Sequence, residues 1–421
     1  MARKCAVHRI AVAVAASVVS FLVVPLISAH AEADKTETPI HFNLRDPRAT
    51  LPRTVAQIEE GMNEGLQVGA QIYVARGGKP IADFGIGMNR PDVPMDADTM
   101  MIWYSATKPL TAACVLQQWE RGKLDLDDPV AKHIPEFAQN GKDKVTIRHV
   151  LTHTSCFPRA SRTGSGFRFT NHMHVKRICN SQLEDGWELG KTAQYHPLSG
   201  FIILGEIVER VDGRPFEEYI REELFLPLGM KDCWVGMPRE RHREYGTRIG
   251  MMHNTDTGTA VPAPSADKLE GMNSIVNGAA AGRGPMRELA QFYEMLRRGG
   301  ELNGTRVLKP ETVAAMTKNQ RPGAVTPRGE PAGPWGLGIS LGITPRFGTG
   351  SASKSFGHGG SQSSIAFCDL DNDVVVAMVF NGRPGAKHAR RTAAVGRAIY
   401  EDLEIVSPGA AIETEDDNSQ E

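Results

Sequence analysis

The order of patterns along the chain predicts an α+β fold. It has a central antiparallel sheet formed by the N- and C-terminal segments, flanked by helices, with a mainly helical middle domain. Three observations carry this expectation. Short runs rich in β-branched residues, separated by Gly and Asp turns, occur near the front of the chain and again in its last quarter. Helical periodicity fills the stretch between them. The composition, 41% hydrophobic and 23% charged over 421 residues, is that of a chain that buries a large core. At about 150 residues per domain, that length allows two or three domains or one core with an insertion.

The first segment reads as an address. Arg3, Lys4 and Arg9 precede an apolar run over residues 10–27, and Ala29-His30-Ala31 follows as a small-x-small site. This is the order of a signal peptide covering residues 1–31, cleaved after Ala31, which predicts a secreted or periplasmic protein. An uncleaved membrane anchor over residues 10–27 is the alternative, because the run approaches the ~20 residues that span a bilayer. Residues 32–50 form an extension. The main domain covers residues 51–405, and residues 406–421 form an acidic tail with the composition of a disordered end.

Within the main domain, Thr54 is positioned to cap a helix with Val55, Ile58, Met62 and Leu66 on one face. Residues 70–75 and 81–86 predict a hairpin turning at Gly77-Gly78. Helices are expected over 106–121, 148–153, 201–211, 285–298 and 310–318, so the helical middle runs from about 105 to 320. Residues 161–185, rich in Gly, Arg and His, read as a loop-rich insert. Strands are expected at 335–341, 355–358, 364–369 and 374–381, with a turn at Asp371-Asn372, and a closing helix over 386–403.

Lys plus Arg (48) and Asp plus Glu (49) nearly cancel, which gives no electrostatic case for nucleic acid as a partner. Behind the leader stand Cys114, Cys156, Cys179, Cys233 and Cys368, odd in number and without a C-x-x-C. Buried thiols are expected, and Cys156 with Cys179 is the one pair to test for a bridge. His149 and His153 lie four apart but lack a third ligand, so structural roles and no metal are expected. His172 and His174 are expected to be solvated. The basic stretch Arg159, Arg162, Arg168, Lys176 and Arg177 reads as a solvated loop or as a surface for an anionic substrate.

Chemistry concentrates at Ser105-Ala-Thr-Lys108, at the start of a predicted helix. Three residues is almost one turn, which places the hydroxyl and the amine on one face. A serine needs a neighbour to take its proton, and a lysine can do this where burial lowers its pKa. Two further motifs stand at Gln194-Tyr195-His196-Pro197, ahead of the helix at 201, and at Phe356-Gly357-His358-Gly359-Gly360, on a predicted strand. The glycines let a substrate backbone approach the strand edge. Trp103, Tyr104 and Trp335 either line a cleft or pack the core.

On these motifs the sequence resembles the serine β-lactamase and D-alanyl-D-alanine peptidase superfamily, on the branch of class C enzymes and family VIII esterases. The resemblance runs from about residue 68 to 403. Ser105-x-x-Lys108 matches the first motif. Tyr195 matches the second, Y-x-N, and His358-Gly359-Gly360 matches the third, K-T-G or H-x-G. The segments 145–155, 227–232 and 281–289 match in character. The resemblance implies acyl transfer without cofactor or metal. Ser105, Lys108 and Tyr195 are then catalytic, and His358, Gly359, Gly360 and Gln362 bind substrate. The oxyanion falls to backbone N–H groups of Ser105 and of Gln362 or a close neighbour.

The chain departs from the second motif at Pro197, where the family has Asn. In the family that Asn helps hold the substrate amide and the Lys. Its replacement favours a carboxylesterase-type activity on small to medium esters, with amides kept open because His196 or Ser199 can fill the space, and leaves a β-lactamase, a D-alanyl-D-alanine carboxypeptidase or an inactive cell-wall-binding relative as alternatives. The expected partners are thus small esters, β-lactams or D-Ala peptides, with a membrane only if the leader stays attached.

Overall fold

Seven strands build the central sheet. The computed structural model describes residues 46–160, 171–263, 266–349 and 354–407. The expected leader, and the acidic tail from residue 408 on, lie outside the described residues. β1 (Gly69–Arg76) and β2 (Lys79–Arg90) form the expected hairpin, and β3 (Val93–Pro94) extends it. The other strands come from the far end of the chain: β4 (Ser340–Leu341), β5 (Ser355–Gly360), β6 (Ser364–Asp369) and β7 (Val374–Phe380). The order is β4-β5-β6-β7-β1-β2-β3, with every neighbour antiparallel. β1 meets β7 at the centre in the register Ile72↔Met378, Tyr73↔Ala377 and Val74↔Val376, so the two chain ends are hydrogen-bonded to each other.

Strand alternation divides the core in two. One face, with Ile72, Val74, Phe367, Val376 and Met378, packs against α1 (Pro52–Asn63) through Val55 and Ile58. The closing helix also packs there through Val395, Ile399 and Tyr400. The other face, with Tyr73, Ala75, Ala366, Val375 and Ala377, belongs to a larger cluster that contains the helical middle. That middle includes α2 (Lys108–Glu120), α3 (Ile147–Leu151), α4 (Asn171–Asn180), α5 (Ser199–Asp212), α6 (Ala266–Asn273) and α7 (Met286–Arg297). α8 (Pro310–Met316) follows, and the closing helix is α9 (His388–Asp402). α2 is buried almost all round, which explains why no amphipathic stripe marks it in the sequence.

The structure corrects the sequence at several places. Thr54 does not cap α1 but lies inside its first turn, where its N–H and hydroxyl donate to Asp402. The insert at 161–185 contains a helix, α4, held by Val175, Ile178 and Cys179, a stripe too short to stand out among His, Arg and Asn. His174 is buried there, not solvated. The strand expected at 335–341 shrinks to Ser340–Leu341. Gly338 takes φ +76° ahead of it, and a Cβ there would lie 2.4 Å from the Cβ of Ala112, so this segment is a tight loop pressed onto α2. Cys156 and Cys179 are both free, buried thiols, and burial raises each to about 11.

Candidate active site

The turn that carries Ser105 is clamped from behind. Trp103 is fully buried, its backbone N–H donates to the Gly282 carbonyl at 2.8 Å, and its indole N–H donates to the Gly284 carbonyl at 3.0 Å. Tyr104 then takes φ +49°, a region costly for a residue with a Cβ, and starts a single 3₁₀ turn over Tyr104–Thr107. The Thr107 hydroxyl donates to the Tyr104 carbonyl at 2.6 Å and accepts from the Gly282 N–H at 2.9 Å. These bonds tie the strained turn to the strand Gly282–Gly284 and leave Ser105 half-buried.

Lys108 opens α2 and is fully buried. Its Nζ lies 2.9 Å from Ser105 Oγ, 2.9 Å from the Pro197 carbonyl oxygen and 3.1 Å from the Ala279 carbonyl oxygen. Burial holds its pKa well below the ordinary lysine value. A neutral amine has two N–H groups and one lone pair. The two carbonyls accept both N–H groups, so the lone pair is left facing the Ser105 hydroxyl.

Tyr195 lies on the segment ahead of α5, half-buried, and its phenol hydrogen-bonds with Ser105. Burial raises its pKa, opposed by that bond. Lys108 Nζ lies 5.0 Å from the ring centroid. Two bonds to His153 fix this segment: Gln194 N–H donates to its carbonyl at 3.0 Å, and His196 N–H donates to its Nδ1 at 3.1 Å. The His153 ring centroid lies 4.7 Å from that of Tyr195. His153 thus has the structural role expected of it, but beside the site, which the sequence did not signal. His149 accepts from Thr146 N–H and caps its own helix.

His358 sits on β5 with its ring 5.9 Å from Tyr195 and 5.6 Å from Trp335. Its Nδ1 faces the Gly359 carbonyl at 2.6 Å, so Nδ1 carries the proton and Nε2 the lone pair. Burial pushes its pKa down to about 3. Gly359 is exposed at the strand edge. A Cβ on Gly360 would stand 1.9 Å from the Trp103 carbonyl oxygen, and Ser364 Oγ donates to that same oxygen at 2.7 Å. Glycine at 360 therefore lets β5 reach the Ser105 turn. Gln362, with φ +58°, is committed to the loop behind: its Oε1 accepts from Gly385 N–H at 2.9 Å, and its carbonyl accepts from Arg391.

Trp335 is buried, its ring against His153, Tyr195 and His358, and Arg321 lies 5.1 Å over its face. Ser105, Lys108, Tyr195 and His358 thus converge, and Gly359 and Gly360 form the adjoining edge. Pro197 contributes only its backbone, its ring being exposed. Of the basic stretch, Arg159 pairs with Glu184, and Arg162 and Arg168 lie outside the described residues. Among the described residues, no three His, Cys, Asp or Glu side chains group as a metal site.

A sheet closed by both chain ends, with a Ser-x-x-Lys turn and a phenol bonded to its serine, is the arrangement of a serine hydrolase. Residues 55–401 match the beta-lactamase family, and the chain belongs to it. It is 28% identical over 368 residues to an esterase/beta-lactamase, LipL, from Mycobacterium tuberculosis, covering 81% of this chain and 82% of that protein. It is 30% identical over 219 residues to esterase EstB from Burkholderia gladioli, covering 46% and 54%. Among solved structures, a penicillin-binding protein homologue from Caulobacter crescentus superposes with a TM-score of 0.68 at 26% identity, over 84% of this chain and 98% of that one. A family VIII carboxylesterase has the same fold, with a TM-score of 0.68 over 84% and 98% at 23% identity.

Proposed function

We propose that the protein is a carboxylesterase-type hydrolase of small to medium esters, working through an acyl-enzyme on Ser105. The observation that carries this is the bonding of Lys108, with two backbone carbonyls on its N–H groups and Ser105 Oγ on the remaining side. Ser105 Oγ attacks the ester carbonyl carbon, and its proton passes to the Lys108–Tyr195 pair, whose titrations are coupled. The carbonyl π electrons move onto the oxygen, which the backbone N–H groups of Ser105 and of a residue just past Gly360 stabilise. The pair returns the proton to the departing alkoxide as the C–O bond breaks. Water then attacks the acyl carbon by the same route, releasing the acid and restoring Ser105.

Ester is favoured over amide because position 197 offers a carbonyl already held by Lys108 and no side-chain amide for a substrate N–H or C=O. The leader motif supports action outside the cytoplasm, and the N-terminal mass of the mature protein tests cleavage after Ala31. The activity test is a panel of p-nitrophenyl esters, nitrocefin and a D-Ala-D-Ala peptide, with intact-mass detection of the Ser105 adduct. Ester turnover that vanishes in Ser105→Ala is expected. Rapid nitrocefin turnover with esters untouched overturns the ester preference.

A further inference from the structure

A narrow cleft has Tyr104, the residue before Ser105, in its wall. Its walls are Ile102, Tyr104, Met252, Leu269, Met272 and Ala281, and two polar side chains, Asn273 and Arg283, complete it. The free space between these walls is small, about 30 Å³, so only a slim unbranched group suits it. The cleft adjoins the site through the chain itself. Tyr104 precedes Ser105, and Ala281 stands two residues after Ala279, whose carbonyl holds Lys108.

Among the described residues, neither polar group has a charged partner, and one of them has no acceptor at all. Arg283 is 3% exposed, and its side chain makes a single long hydrogen bond, to the Met100 carbonyl at 3.4 Å. Among the described residues, no carboxylate pairs with it; the group that favours its charge is Tyr104. Asn273 is 5% exposed, and its Nδ2 has no hydrogen-bond partner. His242 lies within electrostatic range of Arg283, and the nearby Glu270 is paired with Arg243 at 2.9 Å. An unpaired cation and an unpaired amide are costly to bury, and such groups persist where a ligand satisfies them. A carboxylate is the acceptor that a guanidinium fork fits best, and the amide N–H adds to it. The apolar walls match a short hydrocarbon spacer between that carboxylate and the scissile bond.

We propose that this cleft receives a short apolar arm of the substrate ending in a carboxylate, bound by Arg283 and Asn273, so that the substrates are esters with one acid-terminated arm. The proposal rests on the ester-hydrolase reading and adds to it the chemistry of the arm.

The test compares acid-terminated with neutral esters of matched length. In one series the carboxylate is on the acyl side, as in the mono-p-nitrophenyl ester of glutaric acid against p-nitrophenyl pentanoate. In the other it is on the alcohol side, as in butanoyl esters of ω-hydroxy acids against butanoyl esters of alkanols. In wild type, kcat/KM for the acid arm exceeds that for the neutral arm by about tenfold or more in one series, which also identifies the side that enters the cleft. The ratio falls toward one in Arg283→Met, and in Asn273→Asp, which places a fixed carboxylate on the cleft wall. Binding is read separately by titration calorimetry with pentanoate against pentanamide, tighter for pentanoate in wild type and equal in Arg283→Met. Neutral esters hydrolysed with no acid preference in either series, and no preference for pentanoate, overturn the cleft and leave the hydrolase standing. Preferential pentanoate binding lost in Arg283→Met, with no ester turned over, upholds the cleft and overturns the hydrolase.

Discussion

Lys108 Nζ lies 2.9 Å from Ser105 Oγ and equally far from the carbonyl oxygen of Pro197, so one backbone carbonyl of the Tyr195 segment orients the amine that faces the Ser105 hydroxyl. Lys108→Arg replaces the amine with a cation that does not deprotonate near neutral pH. It is expected to lose as much activity as Lys108→Ala, about 10²-fold or more, in kcat/KM on a p-nitrophenyl ester. A Lys108→Arg variant with near wild-type turnover contradicts the neutral-amine assignment.

The pH profile follows from the same burial. The pKa of Lys108 is lowered, so the reactive neutral form gains population as pH rises through that lowered value. Then kcat/KM climbs with pH and levels off well below the ordinary lysine range. In Lys108→Met, any residual activity lacks this limb. A wild-type limb that stays near pH 10 in a profile of kcat/KM against pH refutes it.

Tyr195→Phe keeps the ring packed against His153 and Trp335 and removes only the hydroxyl that meets Ser105. Turnover is expected to fall by about 10²–10⁴ while the melting temperature stays within a few degrees of wild type. Equal losses of both would make Tyr195 a packing residue instead.

Gly359 and Gly360 are adjacent yet predicted to behave oppositely. A Cβ on Gly360 meets the Trp103 carbonyl oxygen at 1.9 Å, whereas the nearest atom to one on Gly359 is the Ser364 carbonyl oxygen at 3.5 Å. Gly360→Ala therefore pushes β5 off the Ser105 turn and lowers both stability and ester hydrolysis. Gly359→Ala folds with a wild-type melting temperature. Thermal melts and ester kinetics on the pair decide this.

Acid should unfold the protein through its buried imidazoles. His196 and His358 are each pushed down to about 3, and His153 well below 6.5, mainly by burial. Between about pH 6.5 and about pH 3 the unfolded chain binds protons at these sites that the folded chain refuses. Stability is therefore lost as pH falls through that window. His196→Gln is expected to flatten the decline in melting temperature relative to wild type, and a parallel decline would assign the acid sensitivity to other groups.

Much of this was legible in the sequence because the physics is local. The hairpin at Gly77-Gly78, the β6–β7 turn at Asp371-Asn372 and the helices around 201–211 and 285–298 follow from turn chemistry and one-sided periodicity. Ser105 and Lys108 were readable as a pair because one helical turn sets their distance. Other features depend on tertiary contact and left no pattern. α2 is buried on all sides, and the loop at Gly338 is shaped by Ala112 from another part of the chain. His153 reaches the Tyr195 segment from 42 residues away in sequence, with no motif around it to announce the contact. The carbonyl that Pro197 offers Lys108 is likewise invisible to side-chain reasoning, since every residue has one.

The pairing of β1 with β7 has a consequence during synthesis. The nucleophile emerges from the ribosome about 250 residues before the strand His358 occupies, and the central sheet cannot close until residue 380 has followed. Nascent products that extend past Lys108 but stop short of residue 355 carry the serine and its amine without the strand that bears His358. The arrangement of Ser105, Lys108, Tyr195 and His358 is therefore assembled only once the last strands have been made.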